Sequence, residues 1–184
     1  KIPKDAELIC ITQNDTSTGV FQPMEGIINL KKKYPEKLMA LDVVSSIPYV
    51  RVDYKYIDIA FFSVQKGFGL PAGLAVMIVS PGALAKAQAL SRRGVNIGSY
   101  HSLKNLLEKG AEFQTPETPN VLNIYLLNKV IKDMAKVGLQ KIRQDTDKKA
   151  KILYDFFDNH KEFSPFIKDP EFRSPTTLVL DVKG

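Results

Sequence analysis

The sequence contains one cysteine, two histidines and no long apolar run. Because Cys10 is the only cysteine among 184 residues, no disulfide can form within the chain, which is typical of a reducing compartment and predicts a cytoplasmic protein. No stretch approaches the roughly 18 to 20 apolar residues that a membrane span requires, so we expect no membrane segment. The start, KIPKDAE, is charged and lacks the apolar stretch of a signal peptide.

The composition is typical of a globular protein with a sizeable core, since 44% of the residues are apolar and 25% are charged. The net charge of +6 raises the question of nucleic-acid binding. The basic clusters at 31–33, 92–93 and 148–149 are scattered and are not interleaved with aromatic residues as in a base-stacking platform. We therefore expect no nucleic-acid partner, and a modest basic excess suits anionic small molecules equally well.

The first half of the chain alternates apolar runs with helical patterns. We predict strands at 7–12, 38–44, 57–64 and 74–80, whose nearly continuous hydrophobicity is typical of strands buried on both faces. A helical pattern starts at Met24 and ends before Pro35, and Pro81 opens another helix. This alternation favours an α/β domain with a mostly parallel sheet sandwiched by helices.

The second half changes character. Residues 94–118 are polar and irregular, and helical patterns follow at 121–136 and 138–160 before a last strand at 176–182. We predict that residues 1–130 are part of a large α/β domain and that 131–184 start a smaller α+β domain. The chain lacks an initial methionine and stops on an apolar, β-rich run, so we expect it to be a piece of a longer protein.

Three features are expected at one edge of the predicted sheet, beyond the carboxyl ends of its strands, where α/β proteins bind ligands. They are the turn NDTSTG after the first strand, Asp42 in the second, and Gln65 with Lys66 after the third. The turn offers the hydroxyl of Thr16 to a ligand oxygen, but such a segment is also a common turn and helix cap. Gln65 could donate its amide to a phosphate.

Lys66 lies in FFSVQKGFGLPAGL, and the nearest charged residues on either side are Asp58 and Lys86. A lone lysine is most often a surface residue at a turn. In this apolar, glycine-flanked setting we instead predict a desolvated amine that acts as a nucleophile. Amines of that kind form Schiff bases with carbonyl compounds.

Asp42 interrupts the apolar strand LMALDVV, which is costly unless the carboxylate is paired. It either caps the following loop or faces a buried cation. A metal ion is not expected, because the two histidines, His101 and His160, are far away in sequence. An aspartate opposite a protonated pyridine nitrogen, together with a lysine Schiff base, is the arrangement that pyridoxal phosphate requires.

The segments NDTSTGV, DVVSS and FFSVQKGFGLPAG resemble the class V group of fold-type-I aminotransferases over most of the chain. The interval from Asp42 to Lys66, 66 − 42 = 24 residues, matches the pattern of that group. The resemblance is closest to phosphoserine aminotransferases, with alanine–glyoxylate and serine–pyruvate transaminases next.

The resemblance implies a role for each candidate. Lys66 would form the internal aldimine with pyridoxal 5′-phosphate and carry the proton between Cα and C4′. Asp42 would pair with the pyridine nitrogen, Thr16 would bond the O3′ side of the ring, and Gln65 would contact the phosphate or the ring edge. Cysteine desulfurases carry histidine where this chain has Gln65, which favours transamination.

The family also supplies a threonine from the partner subunit to the phosphate, and Thr118 in TPNVLNIY fits that pattern, with Thr115 as a second candidate. The resemblance therefore implies a homodimer with a shared active site. The glycine–serine phosphate loop, the aromatic residue stacked on the ring and the substrate-binding arginine of the family are expected outside residues 1–184. Arg173 lies too early for that arginine.

The activity implied is phosphoserine:2-oxoglutarate transamination in serine biosynthesis, through two half-reactions with ping-pong kinetics. Two alternatives stay open. One is an alanine or serine aminotransferase that uses glyoxylate or pyruvate, and the other is a non-catalytic binding relative of the fold.

Overall fold

The computed structural model describes residues 2–183. Five α-helices and six β-strands are present in this range. In chain order they are β1 (Leu8–Thr12), α1 (Met24–Lys33), β2 (Leu38–Asp42), β3 (Ile59–Ser63), β4 (Ala75–Val79), α2 (Pro81–Arg92), α3 (Leu103–Ala111), α4 (Val121–Val137), α5 (Leu139–Asp158), β5 (Phe163–Pro165) and β6 (Leu180–Val182).

The main sheet has the order β1-β2-β3-β4. The first three strands are parallel, with Thr12 opposite Asp42 and Asp42 opposite Phe61, whereas β4 is antiparallel to β3. The predicted mostly parallel α/β sheet is confirmed. Because β1, β2 and β3 run in one direction, the turns that follow them meet at one edge, as the sequence predicted.

The core lies around β2 and β3. Met39 and Leu41 of β2 and Val43 beyond it have no exposed surface, and Phe62 of β3 is also buried. The prediction that every strand is buried on both faces is wrong for β1 and β4, which contain only exposed and half-buried residues. Both strands lie at the edges of the described sheet, so only one side of each has a neighbouring strand.

The second half differs from the prediction in two places. Helix α3 lies within the region predicted as irregular, and the Ser102 hydroxyl caps it by accepting a hydrogen bond from the Asn105 amide. The last strand is shorter than predicted: β6 starts at Leu180 and pairs antiparallel with β5. Residues 176–179 form a loop instead. The domain boundary at residue 130 falls inside α4 and stays a prediction.

No helix in residues 2–183 is both long enough and apolar enough to cross a lipid bilayer.

Candidate active site

A cavity of about 610 Å³ opens at the carboxyl edge of the three parallel strands. Its walls come from the turns after these strands, from α5 and from the loop before β6. Thr16, Gln65 and Lys66 line it as predicted, whereas Asp42, Thr115 and Thr118 are absent from its walls. The polar side chains of the wall are Thr16, Ser45, Ser46, Tyr49, Gln65, Lys66, Thr146, Thr176 and Thr177.

The amine of Lys66 is held by two hydroxyl groups. Its Nζ atom donates a hydrogen bond of 2.9 Å to Thr16 Oγ1 and one of 3.4 Å to Ser45 Oγ. The two hydroxyls also bond each other. The predicted desolvation of Lys66 is wrong for the described chain, since Lys66 and Gln65 are both exposed. The amine lies at an open cavity, but it has specific partners.

A close backbone approach explains the glycine that follows the lysine. A Cβ atom on Gly67 would lie 1.9 Å from the carbonyl oxygen of Ile47, far inside any allowed contact. The turn is closed by a hydrogen bond of 2.9 Å from the amide of Gly69 to the carbonyl of Lys66. The glycine-rich segment therefore brings the chain after β3 against the loop after β2.

Asp15 shapes the turn that carries Thr16. One carboxylate oxygen accepts a hydrogen bond of 2.9 Å from the Ser17 amide, and the other accepts one of 2.8 Å from the Thr18 hydroxyl. These bonds, the amide of Ser17 first, lower the pKa of Asp15. Asp15 is thus a turn-forming acid whose local bonds fix the backbone on which Thr16 lies.

Asp42 is partly buried at the end of β2. Its Oδ1 atom accepts a hydrogen bond of 2.9 Å from the Val44 amide, so the loop-capping role is confirmed for that oxygen. Among residues 2–183, Asp42 takes part in no ion pair. The pairing of Asp42 with a pyridine nitrogen stays a prediction.

Tyr49 forms part of the cavity wall and connects it to α5. Its hydroxyl donates a hydrogen bond of 2.7 Å to Asp147, and its carbonyl accepts one of 2.7 Å from Arg143 Nε. Burial first, and then the bond to Asp147, raise the pKa of Tyr49 to about 12. Tyr49 is therefore a protonated donor that ties the loop after β2 to the helix.

The sequence did not single out several hydroxyl residues of the wall. Ser45 and Ser46 lie in the quoted motif DVVSS, so the position of that motif after β2 was a usable signal. Thr176 and Thr177 had none, because they reach the site from a distant segment; Thr176 bonds Ser45 across 131 positions. Ser46 is fully buried, and its hydroxyl has no hydrogen-bond partner among residues 2–183.

Thr115 and Thr118 are exposed in the loop before α4. This loop is tied to the segment after Lys66, because Asn120 at the start of α4 donates a hydrogen bond of 3.3 Å to the carbonyl of Gly73. The assignment of either threonine to a partner subunit stays a prediction. Arg173 makes a two-pronged ion pair with Asp158 at 2.7 and 2.8 Å, and this pair occupies its guanidinium group.

Comparison with known proteins agrees with this geometry. The family model described as aminotransferase class-V matches residues 1–184. A crystal structure of a phosphoserine aminotransferase from Cytophaga hutchinsonii is 44% identical, with a TM-score of 0.95, over 98% of this chain and 50% of that chain. The structure of an alanine–glyoxylate aminotransferase from Nostoc sp. is 26% identical, with a TM-score of 0.82, over 96% and 46% of the two chains.

A curated relative, the phosphoserine aminotransferase of Corynebacterium glutamicum, is 29% identical over 178 residues, which are 96% of this chain and 46% of the relative. The chain therefore spans about half the length of the relatives that it matches.

Proposed function

This chain belongs to the class-V aminotransferase family, and on that premise we propose that it is part of a pyridoxal-phosphate-dependent aminotransferase that acts on phosphoserine and 2-oxoglutarate. The observation that carries the proposal is the contact of the Lys66 amine with Thr16 at the carboxyl edge of the sheet, where β2 ends in Asp42. The amine and the hydroxyl come from the turns after β3 and β1, and the acid ends the strand that lies between them.

The residues present fit this cofactor. Lys66 is the amine that would bond the aldehyde carbon, and Asp42, which has no ion pair among the described residues, is the acid that would face the ring nitrogen. Thr16 would donate to the phenolate oxygen, and Gln65 would donate to the phosphate. When bound, pyridoxal phosphate supplies an electron sink for the charge left by the broken substrate Cα–H bond.

The chain's own residues have two tasks in this scheme. Lys66 carries a proton to and from the substrate carbon, and the hydroxyls of Thr16 and Ser45 keep the amine within reach. The wall of the cavity contains no arginine within the described residues. The phosphate and carboxylate groups of the substrate therefore need cations from another part of the complete protein.

Similarity supports phosphoserine as the amino donor. The 44% identical structure and the 29% identical curated relative are both named phosphoserine aminotransferase. An alanine or serine aminotransferase that uses glyoxylate or pyruvate is the second candidate, favoured by the likeness to the alanine–glyoxylate enzyme at a TM-score of 0.82. The presence of both Asp42 and Lys66 argues against a non-catalytic relative, since simple binding does not require an acid and an amine in this arrangement.

We extend the proposal to the assembly and to its location. The complete protein is a homodimer in which Thr118, with Thr115 as the alternative, reaches the phosphate site of the partner subunit. It acts in serine biosynthesis in the cytoplasm, through two half-reactions with ping-pong kinetics.

The test is an absorbance spectrum of the complete protein with pyridoxal phosphate, taken before and after borohydride reduction, followed by mass spectrometry. We expect a near-visible band that borohydride bleaches and an adduct on Lys66. The Lys66→Met variant should lose both, whereas Lys149→Met, at an exposed position of α5, should keep them. No band in the wild type, or an adduct elsewhere, contradicts the proposal.

The amino donor is tested on the loaded protein in a single half-reaction. Loss of the band with phosphoserine but not with alanine supports the first candidate. The reverse result selects the alanine enzyme.

A further inference from the structure

We propose that Ser45 is a positioning residue for Lys66 and that Thr176 holds Ser45 in place. The inference rests on the proposed function, because it concerns the amine that would bond the cofactor. Ser45 touches Lys66, Thr16 and Thr176, which come from three different segments of the chain.

Hydrogen bonds within the loop after β2 fix the backbone around Ser45. The side chain of Asp42 accepts a hydrogen bond of 2.9 Å from the Val44 amide, which turns the chain immediately before Ser45. The amides of Ser46 and Ile47 then bond the carbonyl of Val43 at 3.2 and 3.0 Å. Ser45 thus lies in a turn whose backbone makes hydrogen bonds immediately before and immediately after this residue.

Thr176, in the loop before β6, holds the backbone of Ser45. Its hydroxyl donates a hydrogen bond of 2.7 Å to the carbonyl of Ser45. Thr176 is itself held by Ser174, whose hydroxyl accepts hydrogen bonds of 3.1 Å from the Thr176 amide and 2.9 Å from the Thr177 amide. Ser174 is 1% exposed, so this anchor is part of the packed interior.

The consequence is a defined position for a flexible side chain. A lysine amine at the end of four methylene groups loses rotamer freedom when it is held in one place. With Thr16 alone the amine can swing about one acceptor. The hydroxyl of Ser45 is a second acceptor, and it restricts that motion. The turn that contains Ser45 is itself bonded by Thr176 to the loop before β6.

The first experiment compares two forms of the cofactor on the complete, cofactor-free protein. Pyridoxal phosphate bonds Lys66 and is trapped by borohydride, whereas pyridoxamine phosphate has no aldehyde and binds without that bond. For Ser45→Ala we expect the rate of trapping on Lys66 to fall about fivefold to tenfold, the worth of one hydrogen bond. The affinity for pyridoxamine phosphate should stay within twofold of wild type. An unchanged trapping rate, or an equal loss of both, contradicts a positioning role.

The second experiment isolates Thr176. Thr176→Val removes the hydroxyl at nearly constant shape and should slow trapping about threefold, while Thr176→Ser restores the hydroxyl and should bring the rate back to within twofold of wild type. Thermal unfolding of each variant checks that the protein is folded. Slow trapping in the serine variant as well would mean that packing, and not the hydrogen bond, matters at this position.

A third measurement does not depend on the cofactor. The rate of acetylation of Lys66 by acetic anhydride, divided by that of Lys149 in the same sample, should change at least threefold in Ser45→Ala. If pyridoxal phosphate fails to bond Lys66 in the wild type but this ratio changes, the proposed function fails and the role of Ser45 stands. If the cofactor bonds Lys66 and the ratio is unchanged, the role of Ser45 fails alone.

Discussion

The amine of Lys66 lies 2.9 Å from the hydroxyl of Thr16, although fifty positions separate the two residues. Thr16 belongs to the turn after β1 and Lys66 to the turn after β3, and β2 lies between these strands. The contact therefore reaches across the end of β2, where Asp42 is found. Its geometry depends on the register of three parallel strands, so local sequence alone does not create it.

The charge of Asp42 is predicted to be essential for the cofactor but not for the local fold. Asp42→Asn keeps an oxygen that accepts the 2.9 Å hydrogen bond from the Val44 amide, yet it cannot stabilise a protonated pyridine nitrogen. We expect the rate of the half-reaction to fall at least a hundredfold, because the electron sink depends on that proton, while the unfolding midpoint moves little. Stopped-flow absorbance and thermal unfolding measure the two effects.

Asp53 provides a matched control for that substitution. Its side chain accepts a hydrogen bond of 3.0 Å from the amide of Lys55, two residues further on, just as Asp42 accepts one from Val44. Unlike Asp42, it lies in the loop between β2 and β3 and not at the carboxyl end of a parallel strand. Asp53→Asn should leave the half-reaction rate within twofold of wild type. Equal rates for Asp42→Asn and wild type would show that Asp42 is only a loop cap.

Gly67 is predicted to tolerate no side chain. In Gly67→Ala the new methyl group would lie 1.9 Å from the carbonyl of Ile47, so the turn of Lys66 must move away from the loop after β2. Such overpacking costs about 1 to 3 kcal/mol, and we expect slower trapping of pyridoxal phosphate on Lys66 as well. Gly26→Ala in α1 is the control, because its methyl group meets nothing within 4 Å and alanine favours a helix. Urea unfolding should show a loss of stability in Gly67→Ala and a small gain in Gly26→Ala.

Much of the sheet could be predicted from the sequence because its signals are local. The apolar runs of β2 and β3 correspond to buried strands, and the turn residues after β1 and β3 placed Thr16 and Lys66 at the same edge. The exposure of Lys66 could not be predicted in this way. Its apolar neighbours in sequence, such as Phe62 and Val64, are buried in the core beneath it, whereas its amine points into an open cavity.

The remaining parts of the site depend on contacts between distant segments. Thr176 lies in an apolar run that the sequence predicts to be a strand, but the strand starts only at Leu180. Thr176 therefore lies in a loop, and its hydroxyl bonds the carbonyl of Ser45. Antiparallel pairing of β4 with β3 was likewise not visible, because an apolar run carries no sign of strand direction. Helix α3 was missed although Leu103, Leu106 and Leu107 recur at helical spacing, because it is only nine residues long and contains Gly110, which disfavours a helix.

Asn123 is predicted to stabilise the segment that follows the lysine turn. This side chain is 1% exposed and donates hydrogen bonds of 2.9 and 3.3 Å to the carbonyls of Pro71 and Ala72. Asn123→Ala leaves both carbonyls without that donor, so we expect a loss of about 1 to 3 kcal/mol in the free energy of unfolding. The exposed Asn128→Ala in the same helix should change it by less than about 0.5 kcal/mol. Urea unfolding of the complete protein provides both values, and equal effects would contradict the assignment.

The last prediction concerns acid stability and the ion pair between Lys31 and Asp58. Asp58 accepts hydrogen bonds of 2.9 Å from Lys31 and from the Met39 amide, and one of 3.1 Å from the Ser80 hydroxyl. Burial alone would raise the pKa of Asp58, but these bonds outweigh it and hold the pKa below the ordinary value of 3.8. A carboxyl group with a lowered folded-state pKa stabilises the protein above its unfolded-state pKa, and this stabilisation is lost as the pH falls through the folded-state value.

Asp58→Asn should therefore lower the free energy of unfolding by about 2 kcal/mol at pH 7. The difference from wild type should stay constant down to about pH 5 and shrink below about pH 4, where the unfolded-state carboxyl group takes up its proton. Asp155→Asn removes an exposed pair with Lys151 and should cost less than about 0.5 kcal/mol at any pH. Urea unfolding at pH 7, 5, 4 and 3 makes the comparison. A difference that stays constant down to pH 3 would mean that Asp58 acts through neutral hydrogen bonds alone, and that its charge does not contribute to stability.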